Sequence, residues 1–120
     1  MKMRAFALLL LIVASPTFAA KLWVTGKVEK TIVTEDDKFG GCLISLSTPY
    51  NGQIGCGNSF LSVDCAGVFG TKSEGSRRMD QLMLAAVTGA DARVQINSDK
   101  VINGWCAIDG VQVFFDPVGG

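Results

Sequence analysis

Apolar side chains recur at every second position from Leu22 onward. Leu22, Val24, Gly26, Val28 and Ile32 alternate with Trp23, Thr25, Lys27, Glu29 and Thr31, the period of a strand with one buried face. This predicts a first strand from about Leu22 to Thr34, long enough to curl. Lys30 falls on the apolar side and marks either a bulge or the strand's exposed end. Glu35-Asp36-Asp37-Lys38 reads as a polar turn. A second strand, Gly41 to Ser47, sets Cys42, Ile44 and Leu46 on one face. From Thr48 to Asn58, a proline, the Asn51-Gly52 pair and two further glycines predict a loop. A third strand, Phe60 to Cys65, aligns Leu61, Val63 and Cys65.

The period then changes. Met79, Leu82, Met83, Ala86 and Val87 follow helical spacing and predict one buried stripe on a helix from about Glu74 to Thr88. Ser73 or Ser76 can cap its start, and Gly89 lies just past its end. Alternation returns over Ala92 to Asn97, with Val94 and Ile96 inward and Arg93 and Gln95 outward. Ser98 to Gly104 reads as a loop with an Asn103-Gly104 turn. In the last strand, Trp105 to Phe115, Cys106 and Ile108 share a phase that slips by one after Asp109-Gly110, before Val111, Val113 and Phe115. A glycine bulge at Gly110 accounts for the slip.

The order is strand, strand, strand, helix, strand, strand. This predicts a mainly β fold with one helix, an OB-fold-like five-stranded Greek-key barrel. The second and third strands fit as an antiparallel pair, with Cys42 opposite Cys65, Ile44 opposite Val63 and Leu46 opposite Leu61. Four cysteines in a small domain read as two disulfides, with three possible connectivities. The register selects Cys42–Cys65, which leaves Cys56–Cys106. The cysteine spacing lacks the close pairs of a zinc site, so no metal is expected.

The N-terminus changes the setting. Lys2 and Arg4 precede an apolar run, Ala5 to Ala14, and Ser15-Pro16-Thr17 break it before Phe18, Ala19 and Ala20. This is the pattern of a secretory signal at residues 1–19, cleaved after Ala19, with one domain over residues 20–120. The run is shorter than the about 20 residues that a membrane helix needs, so no membrane insertion is expected. The exported domain would be secreted or periplasmic, where thiols oxidise. Without Lys2 and Arg4, nine basic residues face eleven acidic ones, for a net of −2. That balance, with few aromatics, argues against single-strand nucleic-acid binding, which needs a cationic groove and stacking rings.

Catalytic chemistry is sparse. There is no histidine, which removes the commonest general base and metal ligand. No nucleophile elbow or phosphate-cradling loop is present. Asp36 and Asp37 lack the spacing of a calcium loop. The reading is therefore a non-enzyme without a cofactor. Candidate ligand-binding residues are Trp23, on the outward face of the first strand, and Trp105, which opens the last. Tyr50, Asn51, Gln53 and Asn58 add polar groups on the disulfide-tethered loop.

Four segments form a series: Cys56-Gly-Asn-Ser-Phe-Leu-Ser-Val-Asp64, Leu84-Ala-Ala-Val-Thr-Gly89, Ala92-Arg-Val-Gln-Ile96 and the late Cys106. From about Cys56 to Phe115 the chain resembles small exported proteins related to the B subunit of subtilase cytotoxin and its pertussis-like relatives. The resemblance implies an OB-type barrel and favours the Cys56–Cys106 bridge. It also implies a glycan or glycoconjugate ligand, since toxin members bind sialylated cell-surface glycans. Those members form pentameric rings with a separate catalytic A subunit, so a homo-oligomer and an A subunit are the partners it implies. The competing expectation is a periplasmic interaction or inhibitor module that plugs a partner's site with the disulfide-braced loop.

Overall fold

The computed structural model describes residues 21–35, 38–48, 56–57 and 59–115. The predicted signal segment, Asp36, Asp37, Tyr50, Asn51, Gln53 and Asn58 lie outside them. The elements are β1 (Lys21–Val33), β2 (Cys42–Leu46), β3 (Leu61–Ser62), α1 (Lys72–Thr88), β4 (Asp91–Ile102) and β5 (Trp105–Phe114). The sheet closes into a ring in the order β1-β2-β3-β5-β4.

Closure depends on the length of β1. Its first half, Lys21 to Lys27, pairs with β4, and its second half, from Val28, pairs with β2. All pairings are antiparallel except the Ser62–Ala107 bridge between β3 and β5. The alternation read from the sequence holds: Val24, Ile44, Leu46, Val94, Ile96 and Ile108 join one core cluster, while Trp23, Thr25 and Lys27 stay exposed. Two bulges adjust the curl. One shifts the register between Val28 and Lys30, so the additional residue is Glu29. The other shifts it at Gln95/Ile96, where Gly110 pairs with Gln95 and Ile108 with Ile96, making Asp109 the additional residue.

Both disulfides form, Cys42–Cys65 and Cys56–Cys106, with Cα–Cα distances of 5.6 and 5.7 Å. No cysteine is free. The expected register between β2 and β3 is wrong by two residues. Ile44 pairs with Leu61 and Leu43 with Ser62, and Val63 N–H donates to the Cys42 carbonyl at 3.0 Å. A shift of two preserves which face each side chain occupies; Cys42 now stands beside Val63 rather than opposite Cys65, and the two cysteines are bonded across the turn at Asp64. β3 is also shorter than expected. It ends because Asp64 adopts a left-handed φ of 58°. The buried Asp64 carboxylate accepts hydrogen bonds from the backbone N–H groups of Val68 (2.6 Å), Phe69 (2.9 Å) and Gly70 (3.2 Å). That turn carries Cys65 out of the ladder and aims the chain into α1.

The helix differs from expectation in its cap and its roll. Thr71, rather than Ser73 or Ser76, is the N-cap, and its side chain accepts from Glu74 N–H at 3.1 Å. Gly89 closes the other end with φ 70°. The buried stripe is Gly75, Met79, Leu82 and Ala85. Met83, Ala86 and Val87, expected inside, are exposed, Val87 by 84%. Gly75 sets this roll: a Cβ there would stand 2.1 Å from the Asp64 carbonyl oxygen. The helix backbone thus meets the turn after β3 at its one residue without a side chain, and the periodic methionine and valine turn away. β4 also continues to Ile102 through the stretch expected as loop, with its register shifting between Asn97 and Val101 before the Asn103-Gly104 turn.

Candidate functional site

The bulge in β1 opens a groove. Consecutive strand residues normally face opposite sides, but with the register shifted at this point Glu29 and Lys30 both line the same depression. Ser45, Leu46, Ser47 and Thr48 from the end of β2 line it too, with Ser59 and Phe60 from the approach to β3. Its volume is about 490 Å³. Thr48 and Ser59 stand on the two chain ends that flank the loop expected to carry the polar ligand-binding groups.

Each wall has a reason in the sequence. Gly26 lets the segment after β2 lie against β1, because a Cβ there would fall 2.7 Å from Thr48 Oγ1. Lys27 N–H donates to Ser47 Oγ at 2.8 Å, and Thr48 Oγ1 donates to the Thr25 carbonyl at 2.5 Å. Ser47 and Thr48 are therefore held in place by the backbone of β1. Phe60 is braced from behind by Trp105, edge to face with ring centroids 5.5 Å apart. Trp105 is half-buried, and Gly57 packs against its ring so closely that a Cβ would sit 2.3 Å from it. The indole at position 105 is thus a support for the groove wall.

Ser45 is the unusual member. β2 is buried along its whole length, and Ser45 is only 9% exposed. Its hydroxyl makes no hydrogen bond among the described residues, and neither the Glu29 carboxylate nor the Lys30 ammonium forms an ion pair among them. A buried hydroxyl without a partner costs about 1–3 kcal/mol. Here it borders an opening where a ligand can supply the missing bond. The site thus offers hydroxyls, one charge of each sign and an apolar ring. Among the described residues, no three acidic or cysteine side chains gather to hold a metal.

Trp23 lies elsewhere, on the outward face of β1. It pairs with Gln95, which pairs in turn with Gly110. The indole is 38% exposed and has the Arg93 guanidinium 4.6 Å from its ring centroid. The structure therefore separates the two tryptophans: one is a surface platform and the other a brace. The groove residues Glu29, Lys30, Ser45, Ser59 and Phe60 are not evident from the sequence as a site. The phase slip at Lys30 is their one signal, because it marks where strand side chains are re-aimed.

Comparison with protein-family models, with curated proteins and with solved structures finds no match to this chain.

Proposed function

We propose that this chain is an exported, non-catalytic OB-fold domain that binds a glycan or glycoconjugate in the groove beside Ser45. The fold reading is supported by the ring order, by the position of α1 between β3 and β4, and by the parallel contact of β3 with β5. Export is supported by the two disulfides, which fit an oxidising, non-cytoplasmic compartment. No helix among the described residues is long and apolar enough to cross a membrane.

The observation that carries the ligand class is the buried, unpartnered Ser45 hydroxyl in a groove that also offers Ser59, Lys30 and the Phe60 ring. Sugars present hydroxyls for such partners and an apolar ring face for an aromatic wall. The resemblance to toxin B subunits points to the same ligand class, and with it to an oligomer and a separate catalytic partner. A glycan array probed with oxidised protein tests this. Saturable binding to a defined glycan, weakened about tenfold or more in Ser45→Ala and Lys30→Ala, is expected from the loss of a hydrogen bond to a charged or buried group. An array without binding, using protein that retains both disulfides, would overturn it.

A further inference from the structure

The ladder between β2 and β3 stops short at the groove. Its last pair on that side is Ile44–Leu61. Continued in the same register, Ser45 would face Phe60 and Leu46 would face Ser59. Instead these four residues line the groove together, and no backbone hydrogen bond joins the two stretches. The chain before β3 is tied to β5 and the turn leading into it. Cys56 is bonded to Cys106, Gly57 N–H donates to the Gly104 carbonyl at 3.0 Å, and the Phe60 ring stands edge to face on Trp105. The gap is therefore built into the fold rather than left by a fraying strand end.

The open rung belongs to Leu46. Backbone groups of successive strand residues aim at opposite neighbours. Ser47 N–H donates to the Lys27 carbonyl at 2.9 Å, toward β1, whereas the Cys42 carbonyl accepts from Val63, toward β3. By that alternation Cys42, Ile44 and Leu46 aim at the β3 side. Leu46 is 8% exposed and its side chain belongs to the core cluster, so what it offers the groove is its backbone. On the β3 side its N–H and C=O have no partner among the described residues. Folded chains rarely leave a buried backbone donor and acceptor both unpaired.

The spacing of these two groups selects the occupant. An N–H and a C=O side by side on one strand residue match the C=O and N–H of one residue on an antiparallel strand, which exchanges both bonds at once. Strand addition to an open edge uses this match. We propose that the Leu46 edge takes an extended peptide segment of a partner protein as an added strand. This goes beyond the sugar reading, which uses the hydroxyls and the ring but not the backbone edge, and it is tested without any sugar.

Hydrogen exchange of the free, oxidised protein tests the open rung. Leu46 N–H should exchange about tenfold or more faster than Ile44 N–H, and equal protection of the two would overturn it. Blocked tetrapeptides that alternate valine with threonine, lysine or glutamate are then titrated and followed by NMR. A saturable shift of the Leu46 N–H signal is expected with at least one of them, with its exchange slowed about tenfold or more. N-methylation of the peptide amides along one edge should abolish this binding, and along the other edge should leave it. An unmoved Leu46 signal across the panel overturns the proposal, as does the same response to both methylation patterns. Glycan binding without peptide binding removes the strand edge alone, and peptide binding with an empty glycan array supports the edge while removing the sugar.

Discussion

The Asn97 side-chain amide donates to the Asp109 carboxylate at 2.8 Å, joining β4 to the additional residue of the β5 bulge. Lys100 adds a second bond at 2.8 Å, Lys21 approaches to 3.5 Å, and Arg78 Nε donates to the Asp109 carbonyl at 3.3 Å. One acidic residue therefore ties together β1, α1, β4 and β5. Burial pushes its carboxyl up, but the hydrogen bonds from Lys100 and Asn97 and the nearby ammonium charges outweigh this, so the net shift is downward. A lowered folded-state value means that the stability contributed is complete above about pH 4 and is lost as pH falls through the lowered value. Thermal melts between neutral and acid pH should show Asp109→Asn destabilised at pH 7 and less sensitive to acid below pH 4. Parallel melting profiles for the two proteins would remove this role.

Ser45→Ala separates stability from binding. Removing a buried hydroxyl that has no partner should leave stability unchanged or raise it by about 1 kcal/mol. The same change should weaken the ligand. A melt and a titration on one preparation check both, and a loss of stability would mean that the hydroxyl is already satisfied.

Gly75→Ala pits helix propensity against packing. Alanine favours the helix by about 1 kcal/mol. Its Cβ, however, would stand 2.1 Å from the Asp64 carbonyl oxygen and 2.9 Å from Cys65 Cα, both backbone atoms. Overpacking of this kind costs about 1–3 kcal/mol, occasionally more, so net destabilisation is expected by chemical denaturation. Serine or valine at this position should be worse.

The roll of α1 predicts a contrast between neighbouring positions. Leu82 is fully buried and Val87 is 84% exposed. Leu82→Ala should cost about 2–5 kcal/mol, whereas Val87→Ala should stay within about 0.5 kcal/mol. Urea midpoints of the two variants decide between this helix face and the one that the apolar spacing alone suggests.

The two disulfides close stretches of different length, with sequence separations of 23 and 50 residues. Chain-entropy arguments give about 3.5 kcal/mol for the shorter and about 4 kcal/mol for the longer. Replacing each pair by serine or alanine should lower the melting temperature in that order, and full reduction should lower it further.

The strands facing one core were legible because alternation at Leu22 to Ile32 and at Val94 and Ile96 depends on burial of one face alone. The bulges were legible as phase slips near Lys30 and Gly110, but the additional residues are their neighbours Glu29 and Asp109, and Gly110 itself is paired with Gln95. What alternation could not reveal depended on particular turn hydrogen bonds and close backbone contacts, which leave no periodic trace. β3 stops at Ser62 because Asp64 finds three backbone donors beyond it. The roll of α1 follows from Gly75 touching the chain before the helix. The stretch 98–102 looked like a loop because its polar residues face outward in an irregular part of the ladder. The groove was hidden for a related reason: Ser45 alternates correctly as an outward residue, and only the fold buries it.

Among the pairings between strands, the parallel contact at Ser62–Ala107 is the sparsest. Cys65 lies just after β3, Cys56 a few residues before it, and Cys106 immediately precedes Ala107. Of the two covalent staples, Cys56–Cys106 thus crosses the weakest seam of the ring, while Cys42–Cys65 holds β2 to the chain just after β3. A reducing agent should unzip the protein there first, peeling β2 and β3 away as a flap while the β1–β4–β5 ribbon keeps its amide protection.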